Sequence, residues 1–335
     1  MRVLVILAGL FLVVGPASAK SLDAEAINNA QFGAPFASKQ AISPLLIKAE
    51  ILLARAHFSP GEVSGRAGEN FNKAIAAFAE AQGKATKKLD RELWDKLVSM
   101  SADPVVVDYT ISEADMRGPF VDKIPNKMEM MQDLPRLAYT TPREALAEKF
   151  HMSPELLSAL NPGEKFEAAG HTILVANIPT GSLQEKVSRI SVDKAKQELR
   201  AFDAGGKLLA YYPATVGSGE KPAPSGSLKV TAVKKNPTYR YNPAYAFKGV
   251  KTTKPFTIEP GPNNPVGLVW IGLTGEGYGI HGTPEPGKVG KTQSHGCVRL
   301  TNWDAFQLAS GVSKGTSVDF IGEQKRTGSG HRRHG

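Results

Sequence analysis

From residue 187 onward the apolar residues lose their helical spacing. Short strand-like runs broken by turn signals replace it. That change of period forces a chain of 335 residues into more than one structural unit. The stretch "SRISVDKAKQELRAFDAGGKLLAYYPATVG" reads as two strand-like runs around Asp203-Ala204-Gly205-Gly206, a hairpin signal. "SGSLKVTAV", "PVGLVWIGL" and "TSVDFIG" add strands. "TNWDAFQLASGV" is the one clear helix of this region, with Thr301 and Asp304 placed as a partial cap. The pattern predicts a mainly β unit over 187–322, a sandwich or barrel.

Two smaller blocks precede it. At 42–97, "SPLLIKAEILLARAHF" puts Leu45, Ala49, Leu52, Leu53 and Ala56 on one stripe, and Ser43-Pro44 marks the helix start. "SPGEVSGRAGE" is a turn-rich loop. "NFNKAIAAFAEAQG" predicts a second helix with Phe71, Ala74, Ile75 and Phe78 inward and Gly83 at its end. "KLDRELWDKL" predicts a third through Leu89, Leu93, Trp94 and Leu97. Residues 103–137 hold Pro104, Pro119, Pro125 and Pro135, and read as a linker that wraps on a neighbouring unit. At 138–178, Thr141-Pro142 with Glu144 and then Ser153-Pro154 start two helices, carrying Leu146, Ala147, Phe150 and Leu156, Leu157, Leu160. A strand near Tyr139 and a closing strand "HTILVANI" complete a βααβ pattern.

The N-terminus combines Arg2, a twelve-residue apolar stretch at 3–14 and the small-x-small site Ala17-Ser18-Ala19. This predicts a leader at 1–19 and a mature chain starting near Lys20, too short to be a membrane span. The formal charge of +9, and +8 once Arg2 leaves, favours an anionic surface such as a wall polymer. Nucleic acid is not an expected partner of an exported chain, and no stable membrane span is expected. The basic, Gly-rich 323–335 reads as a disordered tail.

Export sharpens the question of Cys297, the single cysteine. An internal disulfide is impossible, which leaves an intermolecular bridge, an inert buried thiol or a reactive one. Attack on a carbonyl needs a thiolate, and so a neighbouring base or cation. His295 stands two positions before Cys297 and His281 sixteen before it. Gly296 suggests a backbone turn that bulkier residues resist, aiming the Cys297 amide at a developing oxyanion. His281 closes the apolar strand "GYGI" and precedes Gly282, so a neighbouring strand can bring its imidazole to the thiol. A zinc site of His281, His295 and Cys297 is the alternative. The spacing is not compact, and Arg299 and Lys291 oppose a cation, so no metal is expected.

These residues carry a resemblance. "IHG", eleven residues, then "SHGCVRL" is similar to the signature of the YkuD-type L,D-transpeptidase catalytic domain, as are "PAPSG", "NPVGLVW" and the helix after the cysteine. Ala223 stands where that family commonly has Thr. The resemblance implies Cys297 as nucleophile and His281 as proton acceptor, oriented by the Gly282 carbonyl. It implies His295, Gly296 and the Cys297 amide around the oxyanion, with Ser294 supporting the local hydrogen bonds. Arg299 holds a substrate carboxylate or orders the site, and Tyr278 and Trp270 line the groove. The implied reaction opens a peptidoglycan tetrapeptide stem at its terminal D-alanine, passes through a thioester, and forms a 3→3 cross-link without a cofactor. Water, a D-amino acid or a lysine of an envelope protein are alternative acceptors. A non-catalytic wall-binding scaffold is the alternative of another class, against which the intact "SHGC" and His281 stand. The block at 42–97 resembles a three-helix peptidoglycan-binding domain, with Ser64 and Ala79 in place of the usual Asp and Gln. The block at 138–178 resembles a LysM domain. Both imply contact with wall glycan.

Overall fold

The structure, a computed structural model, describes residues 22–33, 41–179, 181–218, 222–245, 250–292, 294 and 296–323. The expected leader, the tail from 324 on and His295 lie outside the described residues.

A short helix, α1 (Ala24–Asn28), is followed by α2 (Pro44–Arg55), α3 (Glu69–Ala81) and α4 (Arg91–Ser99). Pro44 opens α2 where the Ser-Pro pair predicts it. The single-stripe reading of α2 is corrected. Leu45, Leu46, Ile47, Lys48, Ala49, Glu50, Ile51, Leu52 and Leu53 are all buried, because α1, α3 and α4 pack around this helix. Its polar residues are accommodated by partners. The Lys48 ammonium donates to the carbonyls of Asn28 (2.6 Å) and Ala30 (3.2 Å). Glu50 accepts from the amides of Ser64 (2.9 Å) and Gly65 (2.7 Å), although burial pushes its carboxyl up to about 8.

The expected linker holds a strand, β1 (Val106–Thr110), paired antiparallel with β2 (Thr172–Ala176). Between them come α5 (Glu113–Arg117), a 3-10 turn at Met128–Asp133, α6 (Pro142–Lys149) and α7 (Pro154–Leu160). The two expected helices and the closing strand form. The strand paired with the closing one lies in the expected linker, with α5 and the 3-10 turn intervening, so the predicted βααβ order over 138–178 is corrected. Tyr139 makes only a single bridge, to Phe120. Val105, Val106 and Val107 are strand formers masked by a proline-rich context. Thr141 and Ser153 cap α6 and α7 through the amides of Glu144 and Leu156. Glu144 also accepts from the Thr140 amide (2.7 Å), one residue before the capping Thr141. Nor do the two blocks have separate cores. One continuous apolar cluster runs from Ile27 through Leu53, Phe78 and Trp94 to Leu157 and Val175. Units this small bury too little surface alone.

The remaining chain adds β3 (Arg189–Asp193), β4 (Glu198–Phe202), β5 (Leu208–Pro213), β6 (Thr215–Val216), β7 (Gly226–Lys235), β8 (Tyr239–Tyr241) and β9 (Phe256–Ile258). It continues with β10 (Val269–Leu273), β11 (Gly279–His281), β12 (Val298–Arg299), α8 (Asn302–Gly311) and β13 (Ser317–Ile321). The first strand-like run splits into β3 and β4. Asp193 accepts from the amides of Ala195 and Lys196 there, and Gln197 takes a φ of +56°. The predicted hairpin at Asp203–Gly206 joins β4 to β5.

Nine strands form one sheet in the order β5-β4-β3-β13-β7-β10-β11-β12-β6. Its two end strands, β5 and β6, are separated in sequence only by Ala214, so the sheet curls until it nearly closes. Its interior is filled by Ile190, Val192, Leu199, Ile271, Ile280, Val298 and Leu308, the last from α8.

Upstream chain is welded onto the unit that carries this sheet at several places. Phe58 bridges Tyr211 on the β5 edge, with Ser59 N–H donating to Tyr211 and Tyr211 N–H to His57, both at 2.9 Å. Asn70 donates to the Val289 carbonyl at 2.9 Å. Leu134 and Leu137 of the wrapping segment pack on Tyr241, Phe256 and Ile258 of the β8–β9 hairpin. Among the described residues no helix is long and apolar enough to cross a membrane.

Candidate active site

The site grows from one row of residues across four strands. In the antiparallel β10–β11 pair Trp270 lies opposite His281. In the parallel β11–β12 pair His281 lies beside Arg299, and in the β12–β6 pair Arg299 faces Thr215. Partners in register share a sheet face, so Trp270, His281, Arg299 and Thr215 stand side by side. Val298 points the other way, into the core against Ile280. Cys297 directly precedes Val298, and alternation returns it to the face of Arg299 and His281. Thus His281 and Cys297, sixteen residues apart, are brought together by one parallel strand pair.

The imidazole is fixed on two sides. His281 stacks on the Trp270 indole, ring centres 5.5 Å apart and 19° between planes. Its Nδ1 lies 2.7 Å from the Gly282 carbonyl, which can only accept. Nδ1 therefore carries the proton, and Nε2 presents a lone pair. Gly279 lets the indole lie flat, since a Cβ there would sit 2.5 Å from Trp270 Cζ2.

The cysteine loop is held by its backbone. The Ser294 hydroxyl donates to the Cys297 carbonyl at 2.6 Å, and the Ser294 amide to Gly217 at 2.9 Å. Gly296 has a φ of +100°, the conformation its residue type predicts. The Tyr278 ring lies 3.6 Å from where a Gly296 Cβ would stand, placing Tyr278 against the cysteine turn. Trp270 is a support for His281 more than a groove wall. Cys297 Sγ donates weakly to the Gly277 carbonyl at 3.4 Å.

The electrostatics differ from a preformed thiolate. Burial raises the Cys297 thiol above its ordinary value, opposed by the Gly279 amide and the Arg299 charge. Burial, and then Arg299, push His281 down to about 3, against the pull of the Gly282 carbonyl. Both groups are neutral at rest near pH 7. Burial also lowers Arg299 itself. Among the described residues no three His, Cys, Asp or Glu side chains converge as a metal site.

Several supporting residues were not legible in the sequence. Thr215 accepts from the Gly290 amide at 2.9 Å, tethering the loop between His281 and Cys297. Asn302, which no motif marks in the sequence, accepts from the Leu268 amide at 3.0 Å and is buried behind Gly282. A Cβ on Gly282 would lie 2.1 Å from Asn302 Oδ1, and one on Gly267 would lie 2.0 Å from it, so neither glycine has room for a side chain. Asp304 forms the expected cap, its amide donating to Thr301 Oγ1 at 3.1 Å, and its carboxyl also accepts from Ser59 at 3.0 Å across the junction with the helical block.

Residues 188–320 match the YkuD profile, described as the L,D-transpeptidase catalytic domain. The chain is 29% identical over 179 residues to the putative L,D-transpeptidase YkuD of Bacillus licheniformis, covering 53% of this chain and 92% of that protein. It is 33% identical over 135 residues to the putative L,D-transpeptidase YqjB of Bacillus subtilis, covering 38% and 68%. To the probable L,D-transpeptidase YbiS of Escherichia coli it is 32% identical over 190 residues, covering 55% and 61%.

Proposed function

The chain belongs to the YkuD family of L,D-transpeptidases, and from that premise we propose that it works on peptidoglycan stem peptides through a Cys297 thioester. The observation that carries this reading is the cross-strand row that puts Cys297 on the face of His281.

The Cys297 sulfur attacks the carbonyl between the third residue of a tetrapeptide stem and its terminal D-alanine. As the C–S bond forms, the thiol proton passes to His281 Nε2. Starting from two neutral groups, this transfer builds charge only when substrate is present. The buried imidazole is a weak base, which also makes its imidazolium a strong acid. It returns the proton to the D-alanine nitrogen as that C–N bond breaks. An acceptor amine then attacks the thioester, again losing a proton to His281, and the thiol is regenerated. A diaminopimelate side chain as acceptor makes the 3→3 cross-link. Water makes a tripeptide. A D-amino acid or a lysine of an envelope protein are other acceptors of the same kind. Arg299 stabilises negative charge beside the sulfur. The chemistry assigned to these residues needs no cofactor.

The place of action is the cell wall outside the inner membrane, consistent with the leader-like N-terminus and the net positive charge. The block at 138–178 supports contact with wall glycan by its LysM-like sequence pattern, and the helical block by its three-helix pattern. Full-length Cys297→Ala protein is expected to sediment with purified sacculi. Recovery entirely in the supernatant would remove the glycan-anchoring role. The activity itself is tested by incubating the protein with tetrapeptide muropeptides and reading products by mass spectrometry. A dimer lacking one D-alanine is expected. Tripeptide alone would make the enzyme a carboxypeptidase, and unchanged substrate would defeat the reading.

A further inference from the structure

Behind the catalytic row lies a contact that the proposed chemistry does not use. Glu148, near the end of α6 in the upstream block, reaches Asn302 at the start of α8. Asn302 Nδ2 donates to Glu148 Oε1 at 2.8 Å and to the Pro262 carbonyl at 3.3 Å. Tyr139 donates its hydroxyl to the same Glu148 oxygen at 3.1 Å. The carboxylate stands at the wall of a cavity of about 390 Å³ between the upstream blocks and the sheet.

Asn302 has no freedom to turn its amide over. The Leu268 N–H can only donate, so Oδ1 must face it, and the Pro262 carbonyl can only accept, so Nδ2 must face it and, beside it, Glu148. In that orientation Oδ1 fills the space where Gly282 and Gly267 lack side chains. The Gly282 carbonyl in turn receives the Nδ1 proton of His281 at 2.7 Å. A chain of contacts thus runs from Glu148 to the Asn302 amide, to the Gly282 peptide, to the imidazole.

We infer that Glu148 is a positioning residue for His281, acting through Asn302, so that the upstream block sets the orientation of the catalytic base. Without an acceptor at this place the Asn302 Nδ2 keeps only the longer 3.3 Å contact to Pro262, and the amide, held at Oδ1 by Leu268, tilts relative to Gly282. The imidazole then samples both tautomers, and Nε2 is presented to the thiol only part of the time. A misplacement of this order costs on the order of 10²-fold in rate. Substrate binding is untouched, because the contact lies on the far side of the Gly282 peptide.

The inference rests on His281 serving as base, so its test includes a readout independent of turnover. Glu148→Leu removes the acceptor, while Glu148→Gln keeps an oxygen that both Asn302 and Tyr139 can bond. In folded full-length protein, Glu148→Leu is expected to lower kcat about 10- to 100-fold with KM unchanged, and Glu148→Gln to restore it to within about threefold. Tyr139→Phe leaves the Asn302 bond intact and is expected to leave kcat unchanged. Ring nitrogen chemical shifts of His281 should report a single Nδ1–H tautomer in wild type and Glu148→Gln, and a mixture in Glu148→Leu. If Glu148→Leu does not fold, Glu148→Asp, which withdraws the carboxylate by one methylene, is expected to show the same loss and the same mixture. A single tautomer in every folded variant overturns the inference whatever the activity. So does an equal loss in Glu148→Gln and Glu148→Leu. An inactive wild type that still shows the tautomer change defeats the enzymatic reading alone.

Discussion

Replacing Cys297 by alanine is expected to abolish release of D-alanine from tetrapeptide stems, lowering kcat/KM by at least about 10⁴-fold. The fold should survive. The side chain contributes one weak contact, Sγ to the Gly277 carbonyl at 3.4 Å, whereas the loop is held by the Cys297 carbonyl, which accepts from Ser294 at 2.6 Å. Alanine keeps that carbonyl. Thermal melting should therefore stay within about 2–4 °C of wild type. Cys297→Ser is the sharper variant. It keeps a hydroxyl in place, but an alcohol is far less acidic than a thiol, and a base weakened by burial cannot draw its proton. A comparable loss is expected, with no acylated species in intact mass spectra. An alanine variant that still releases D-alanine would take the nucleophile's role away from Cys297.

His281→Ala is expected to lower acylation by about 10³-fold, within the usual range for a positioned general base. The pH profile discriminates further. His281 sits at about 3 in the folded protein, so its lone pair is available throughout pH 5–8. Wild-type acylation should therefore be nearly flat across that range, with no acid limb near 6.5. In His281→Ala the rate should instead follow the thiolate fraction. Burial holds the thiol above its ordinary value, so the rate should climb about tenfold per pH unit from 6 to 9. The same shift acts on stability. The unfolded imidazole binds a proton below about 6.5 that the folded one does not bind until about 3. The stabilising contribution is thus complete above 6.5 and is lost as pH falls from there toward 3. Rates of acylation by a tetrapeptide stem, measured by quenched mass spectrometry from pH 5 to 9, check both profiles. A wild-type acid limb near 6.5 would show that the imidazole is not held as the structure has it.

Much of the local structure was legible because its causes are local. Ser43-Pro44, Thr141-Pro142 and Ser153-Pro154 each open the helix they predict. The Asp203–Gly206 turn and the Thr301 cap also depend on neighbours in sequence. What was missed depends on partners far away. Val106–Thr110 becomes a strand because Thr172–Ala176 lies beside it, and its proline-rich context gives no alternation to read. The burial of Lys48 and Glu50 on α2 follows from a bundle no single helix announces. Cys297 and His281 stood out through their motif, yet their shared face comes from the parallel β11–β12 pairing. Asn302, Thr215 and Glu148 carry no motif, since each acts through one contact made only when distant chain arrives. The thiol's expected ionisation failed for the same reason: burial, which the sequence does not display, outweighs the nearby charge.

The β5 strand has a practical consequence for anyone wishing to transplant this catalyst. Its outer edge is occupied by His57, Phe58 and Ser59, and four residues beyond Tyr211 the same stretch reaches Thr215 beside Arg299. A cassette cut at residue 187 would bare a strand edge for intermolecular pairing. It would also leave the Val289 carbonyl without Asn70 and Asn302 without Glu148. The catalytic unit is therefore not a portable module. Chimeras that keep residues 22–323 together, α1 included, are the ones to build.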